Sequence, residues 1–325
     1  MDFWLTDDQD ALQEGIRSFV DGRFPLDATA EREETDVVVD LEKWRELGEL
    51  GVFSLRADGF DFRSAVLVFE ELGRGLVPGP LVLTHLAAGL IDGAADGSVR
   101  VGHYEPGQTT TLIEHYGQLT DLLWLRDDGI IRLDPTSLVT AAVERPLDPL
   151  SPVAAVLDSV SGEVIGSSED SAHARLAGTL LTSALQIGVA NAALDLSNTY
   201  AKEREQFGRP IGSFQAVKHL LAEMLVRAEV ARSAVYAAAC ALDGASDDAP
   251  ERAVSVAKVM AGDAAIFGGR TGIQVHGGMG FTWEVHIQRY WKRAIVLDNT
   301  FGSSDHHAVK VAATLTNPLL SDERS

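Results

Sequence analysis

Cysteine is nearly absent: Cys240 is the only one in 325 residues. An intrachain disulfide and a paired-cysteine metal site are therefore excluded, and a reducing cytoplasm fits. No paired histidine or carboxylate spacing suggests another metal site. No uninterrupted apolar run is long enough to cross a bilayer. The first residues, Met1 to Asp8, have no basic region leading into an apolar one, so no secretory signal is expected. Cations are also few, with 27 Lys and Arg against 48 Asp and Glu, for a formal net charge of −21. Such a charge repels nucleic acid and anionic lipid, and an anionic ligand needs positive charge gathered locally. No glycine-rich fingerprint joins a strand to a helix, so a dinucleotide-type βαβ unit is not expected.

What is present is mostly helical periodicity. Thr6 with Gln9 reads as a capping box, followed by Leu12, Ile16 and Phe19 or Val20 at helical spacing. The acidic run Glu31–Asp40 reads as a solvated loop or face. Helices are predicted over Leu41–Leu50 (stopped by Gly51), Phe62–Leu76 and Leu81–Ile91. From Gly97 to Ile165 short apolar runs alternate with turn residues, and Asp127-Asp128-Gly129 is a hairpin signal. After Ser171 helices return. Leu176, Leu180, Ala184 and Gly188 form an i+4 row whose small end allows close helix approach. Val217, Leu220, Leu221, Met224, Leu225 and Ala228 form a stripe. Asp247 and Asp248 are cap candidates before Pro250. Ala253–Phe267 is apolar nearly all round and should be central, and helices follow over Glu284–Leu297 and Ser303–Leu315. The expected class is mainly α, with three parts: a helical domain at 1–96, a reduced β-domain at 97–170 and a helical bundle at 171–325.

Two helix connectors carry most of the chemistry. Arg204–Gln215 gathers Arg204, Arg209, Lys218 and His219 around two glycines. Free N–H groups at the start of the next helix suit a phosphate. Arg204 can grip a pyrophosphate with two parallel bonds, and Phe207 can stack on a flat ring. Gln206 and Gln215 can bond ribose or base. The plainer alternative has Phe207 and Phe214 stapling the helices while Arg204 pairs with Glu203 or Glu205. The second connector, Gln274–Phe281, places Gly277, Gly278 and Gly280 in four residues. That means tight backbone, positive φ or a ligand against the chain, with a simple helix C-cap as the alternative. His276 alone reads more readily as a packed or capping histidine than as a base.

At these connectors the chain resembles the acyl-CoA dehydrogenase family. The pieces that match are Arg204-Glu-Gln-Phe-Gly-Arg-Pro-Ile211, Phe214-Gln-Ala-Val-Lys-His-Leu-Leu-Ala-Glu-Met224 and Gln274-Val-His-Gly-Gly-Met-Gly-Phe281. Leu5–Gln9 and Glu70–Arg74 look like its first helical domain. The resemblance implies a helical domain, a middle β-domain and a C-terminal four-helix bundle. It also implies FAD as cofactor, an acyl-CoA substrate and an electron-accepting flavoprotein. In the family this bundle reaches across an interface to the ADP half of a neighbour's FAD. By that resemblance Arg204, Gln206, Phe207 and Gln215 bind FAD, as do Gln274, Val275, His276, Gly277 and Gly278. Ser303 matches a flavin-contacting position, and so does Asp305, which would add negative charge near phosphate.

The departures are as informative. Counting forward from Gly280, Phe301 stands where the family's catalytic glutamate is expected, and a phenyl ring takes no proton. The other known location falls at about Gly178, again with no carboxylate. The segment that supports the flavin ring in the β-domain is missing, with Glu105-Pro106-Gly107 a fragment of it. No catalytic residue is therefore assigned. The expectation is the non-catalytic subunit of a hetero-oligomer (α2β2), similar to the family's steroid-degrading branch, with a second acyl-CoA dehydrogenase-like subunit supplying the base. Two alternatives stay open. One is a self-sufficient enzyme with Asp298, Asp305 or Glu284 as a relocated base; the other is a flavin-free scaffold.

Overall fold

Thr6 opens the first helix as its sequence predicts. The Gln9 N–H donates to Thr6 Oγ1 (3.3 Å) and the Thr6 N–H to Gln9 Oε1 (3.2 Å), which closes the capping box. The computed structural model of the chain describes residues 5–35, 37–107, 110–158, 160–246 and 248–316. Among them, helices α1–α5 are Asp7–Arg23, Leu26–Glu31, Leu41–Glu49, Phe62–Arg74 and Leu81–Ala87. Strands β1–β7 are Val101–His103, Thr111–Glu114, Asp121–Arg126, Gly129–Leu133, Thr140–Ala142, Val153–Val156 and Glu163–Gly166. Then come α6 (Ser168–Glu203), β8 (Glu205–Gln206), β9 (Arg209–Pro210), α7 (Gln215–Leu242), α8 (Pro250–His276), α9 (Ile287–Asn299) and α10 (Ser304–Thr316). The class is mainly α with a small β region, as expected.

The described residues fall into two compact units. One contains Asp21–Ala65 and Val77–Gly178. Its hairpin β3–β4 turns at Asp127-Asp128-Gly129, with Arg126 opposite Gly129 and Leu122 opposite Leu133. The sheet order is β1-β3-β4-β7, and a second sheet runs β2-β6-β5. Ile113, Leu122, Ile131 and Leu133 pack with Tyr104 as a core drawn from both sheets. Helix α5 ends at Ala87, earlier than its apolar pattern suggests. Ala88 leaves the helical region (ψ 124) and Gly89 takes a positive φ of 87°, so the apolar residues beyond continue in turns.

The other unit holds the chain up to Val20, Val66–Leu76 and everything from Thr179 on. Here the small-residue row does what its spacing suggests. A Cβ on Gly188 would overlap the carbonyl oxygen of Glu70, and one on Gly73 would overlap that of Leu185. Helices α4 and α6 therefore meet backbone to backbone, a distance only glycine permits. Gly188→Ala is expected to destabilise the protein by about 2–3 kcal/mol, read as the midpoint of urea unfolding, because backbone rather than a flexible side chain must yield.

Three expectations are corrected. Helix α8 begins with Ala249 at the N-cap position and no side-chain cap, while Asp248 pairs with Arg252 instead; Asp247 lies outside the described residues. Leu225 is 48% exposed although Met224 and Ala228 beside it are buried, so the apolar stripe of α7 is narrower than its sequence. Helix α6 is long and apolar enough, by length and composition, to cross a membrane, but 89% of its most apolar stretch is buried inside the protein. Interspersed Ser, Thr and Gln hide this from a search for unbroken apolar runs.

Candidate functional site

The link from α6 to α7 is a tight hairpin rather than an open connector. Glu205 pairs with Pro210 and Gln206 with Arg209. Phe207 and Gly208 make the turn, with φ of 54° and 75°. Two positive φ values match a two-residue hairpin turn, in which glycine is at ease and a bulky aromatic is not. Phe207 is nevertheless 91% exposed, with its edge toward Phe214 (centroids 6.1 Å apart, 87° between planes).

Arg204 stands at the base of this hairpin. Its N–H donates to Tyr200 O (2.8 Å) and its own carbonyl accepts from Ile211 N–H (2.8 Å). The stem is fixed, yet the guanidinium is exposed and makes no ion pair among the described residues, with neither Glu203 nor Glu205. Arg209 differs, with its guanidinium 4.2 Å over the Phe214 ring. Gln206 and Gln215 are exposed. A cleft of about 470 Å³ beside the loop is lined by Lys202, Ser213 and Lys218, among others.

The second connector separates the three possible reasons for its glycines. Gly277 ends α8 at φ 63°, ψ −140°, a conformation open to glycine alone. Gly280 lies against Ile273, where a Cβ would come 2.6 Å from the carbonyl oxygen. Gly278 has open space around it and no such demand. Gln274, Gly277 and Gly278 line a second cleft of about 470 Å³ with Arg270, Phe281 and Trp291. Val275 and His276 do not face it with their side chains: both are buried, and His276 Nδ1 bonds Gly272 O (2.7 Å) within its own helix. Burial lowers the His276 pKa, which favours the neutral ring. Arg270 and Trp291 were not singled out from sequence; Arg270 lies one helical turn before Gln274, and that spacing was the available signal.

The two connectors are tied together. The Tyr200 ring stacks on His276 (centroids 4.2 Å, 22°), one turn before Arg204. Ser303 is not part of this group. Its neighbours Ser304 and His307 pack near Gly262 and Ser255 of α8, roughly 20–35 Å along that helix from Gly277.

The family model for the acyl-CoA dehydrogenase N-terminal domain matches residues 6–97, and that for the C-terminal domain matches 173–316. Acyl-CoA dehydrogenase IpdE2 of Mycolicibacterium smegmatis is 30% identical over 89% of this chain and 93% of its own length. The chain belongs to the acyl-CoA dehydrogenase family. Its fold is shared by a chain of the ChsE4-ChsE5 complex from Mycobacterium tuberculosis (TM-score 0.81, 22% identity, 97% of this chain and 99% of that one). A chain from a variant of the Tcur3481-Tcur3483 steroid ACAD agrees equally well, with the same four values.

Phe301 stands in the turn between α9 and α10. Phe301 is buried with a φ of 57°, followed by Gly302 at 90°. The turn is held from α8. Lys258, fully buried, donates to Leu297 O (2.5 Å) and Thr300 O (3.0 Å). His307 bonds Phe301 O (2.9 Å) through Nε2 and Ser255 Oγ (3.1 Å) through Nδ1. Of the three carboxylates considered as relocated bases, Asp305 and Glu284 are exposed on the surface. Asp298 is half-buried and accepts from Ser304.

Burial pushes the His307 pKa from 6.5 down to about 4. The unfolded chain thus takes up a proton at higher pH than the folded one. This contribution to stability is complete above pH 6.5 and is lost as pH falls toward 4. At most about 2–3 kcal/mol is expected from this group. Melting temperatures measured from pH 7 downward should fall across that window, and His307→Gln should flatten part of the slope.

Proposed function

We propose that this chain is the ADP-holding subunit of a hetero-oligomeric, FAD-dependent acyl-CoA dehydrogenase that introduces an α,β double bond into a CoA thioester. The single observation that carries the reading is the contrast between its two ends. Around the connectors, an unpaired Arg204, a displayed Phe207 and a glycine-lined cleft suit a nucleotide diphosphate. At the α9–α10 turn, the position where the family resemblance would put the base holds Phe301, whose ring is buried.

Arg204 would grip the pyrophosphate, Phe207 would stack, and Gln206, Gln215 and Gln274 would bond ribose or base. Gly277 and Gly278 would admit the phosphates, and Val275 and His276 would contribute through their backbone. Ser303 would contact flavin at a separate point. FAD, when bound, supplies the hydride acceptor. The α-proton would go to a carboxylate of a second acyl-CoA dehydrogenase-like subunit in an α2β2 assembly. The two-component and steroid names of the structural neighbours support such a partner and a steroid-derived acyl group. An electron-accepting flavoprotein would reoxidise the cofactor, in a reducing cytoplasm. The three parts at 1–96, 97–170 and 171–325 would then be the usual domains, with the middle one reduced.

The test is flavin stoichiometry per chain, with and without an acyl-CoA dehydrogenase encoded nearby. One FAD per pair of unlike chains is expected, with oxidation of acyl-CoA only in the complex. A second reading, the self-sufficient enzyme, draws on one observation, the half-buried Asp298 beside the turn. It gains the field if the lone chain binds FAD fully and oxidises an acyl-CoA.

A further inference from the structure

Thr182 and Gln186 sit one turn apart on α6, and neither is exposed at all. Thr182 Oγ1 and both amide atoms of Gln186 have no hydrogen-bond partner among the described residues. Other hydroxyls of the same helix fold back on it: Ser183 donates to Thr179 O (2.8 Å) and Ser197 to Ala193 O (2.7 Å). Thr182 has the same option and does not take it. Opposite lies Gly262 of α8. A Cβ there would stand 3.4 Å from Gln186 Nε2 and 2.5 Å from Asp298 Oδ1, and would overlap Ser304 Oγ. Ser304 in turn donates to Asp298. Side chains from α6, α9 and the start of α10 thus converge on a bare stretch of α8. Buried donors and acceptors are rarely left unpaired in native proteins, because each gives up its hydration without return.

We propose that Thr182, Gln186 and the Asp298–Ser304 pair form an internal site for a neutral hydroxyl-type oxygen, supplied by an ordered water or by an alcohol group of a ligand. The donor set selects this class. The amide offers both a donor and an acceptor, and the threonine hydroxyl can be either. The ligand must answer in both senses, as water and alcohols do. An anion would meet the Asp298 carboxylate. A metal ion would find no group of three His, Cys, Asp or Glu among the described residues. Water held by several polar side chains is the usual remedy for such buried groups. The site stands independently of the proposed function, since it involves none of the residues assigned to FAD.

Crystals of the full-length protein, diffracting well enough to show ordered water, would be examined alone, with a hydroxylated acyl-CoA thioester, and with its deoxy counterpart. A density peak within hydrogen-bond distance of both the Gln186 amide and the Thr182 hydroxyl is expected. A peak unchanged in all three identifies water, and replacement by the ligand's oxygen only with the hydroxylated thioester identifies the alcohol. No peak in any crystal overturns the site. An independent check is the melting temperature of the double variant Thr182→Val, Gln186→Met. If an oxygen is bound there, the temperature falls by a few degrees. If the groups are simply unpaired, apolar replacement relieves them and the temperature rises, which also overturns the site. Thr182→Ser, which keeps the hydroxyl, should retain the peak.

Discussion

Replacing Arg204 by alanine is expected to raise the dissociation constant of FAD for the assembled enzyme by about 10–100-fold, with no change in melting temperature. The two halves of this expectation have separate causes. The guanidinium is exposed and engages no carboxylate among the described residues, so its loss breaks no ion pair seen there. The backbone bonds to Tyr200 and Ile211 that anchor the hairpin do not involve the side chain. A bidentate, charge-assisted contact with phosphate is worth about 1.5–3 kcal/mol, which sets the range. Lysine at this position should restore only part of the affinity, because an ammonium is a point charge without the planar fork. Equilibrium dialysis of FAD against the complex measures both variants. Unchanged affinity in Arg204→Ala would remove the hairpin from the cofactor site.

Arg232→Met is expected to destabilise the fold by about 3 kcal/mol at neutral pH. Its partner Glu70 is 2% exposed. Glu70 Oε1 accepts from Arg232 and from Asn191 Nδ2 (3.1 Å), and Oε2 accepts from Tyr236 OH (3.2 Å). Burial pushes the Glu70 pKa up, and Arg232 offsets that only in part. Without Arg232 the carboxylate keeps neutral partners and no countercharge, which is the costly case for a buried ion. The figure lies at the low end of that class because the Arg232 side chain is itself 30% exposed. The pH dependence follows with a definite sign. In the variant, Glu70 titrates at higher pH folded than unfolded, so stability recovers as pH falls through that range. Adding Glu70→Gln should recover most of the loss at pH 7. A double-mutant cycle by urea unfolding measures the coupling, and additive effects of the two substitutions would show that the pair does not act as a unit.

How much of this was legible in the sequence differs from element to element. The capping box at Thr6 and Gln9, the hairpin at Asp127–Gly129 and the close approach at Gly188 were all readable, because each depends on residues at fixed short spacing. Helix ends were less so. Ala88 leaves the helix although the apolar residues run on, and Asp248 prefers Arg252 to a cap, since backbone geometry and a nearby cation compete with local preference. The two connectors stood out by composition, but their division of labour did not. Gln274 faces the cleft while Val275 and His276 turn inward, and Arg270 and Trp291 join from positions that a linear motif does not contain.

By itself, the sequence determined the family, the mainly helical class, and the lack of a carboxylate at Phe301 and Gly178. These are matters of residue identity and count, which need no coordinates. Only the tertiary structure decided which polar groups are free and which are spent. Among the described residues Arg204 is unpaired although two glutamates adjoin it in sequence, whereas Glu70 is bound by residues more than 100 positions away. Gln186 looks ordinary on its helix until Gly262 of α8, Asp298 of α9 and Ser304 of α10 close around it. Pairing, burial and convergence depend on distances across the fold, and those are set by packing between helices rather than by any one stretch of chain.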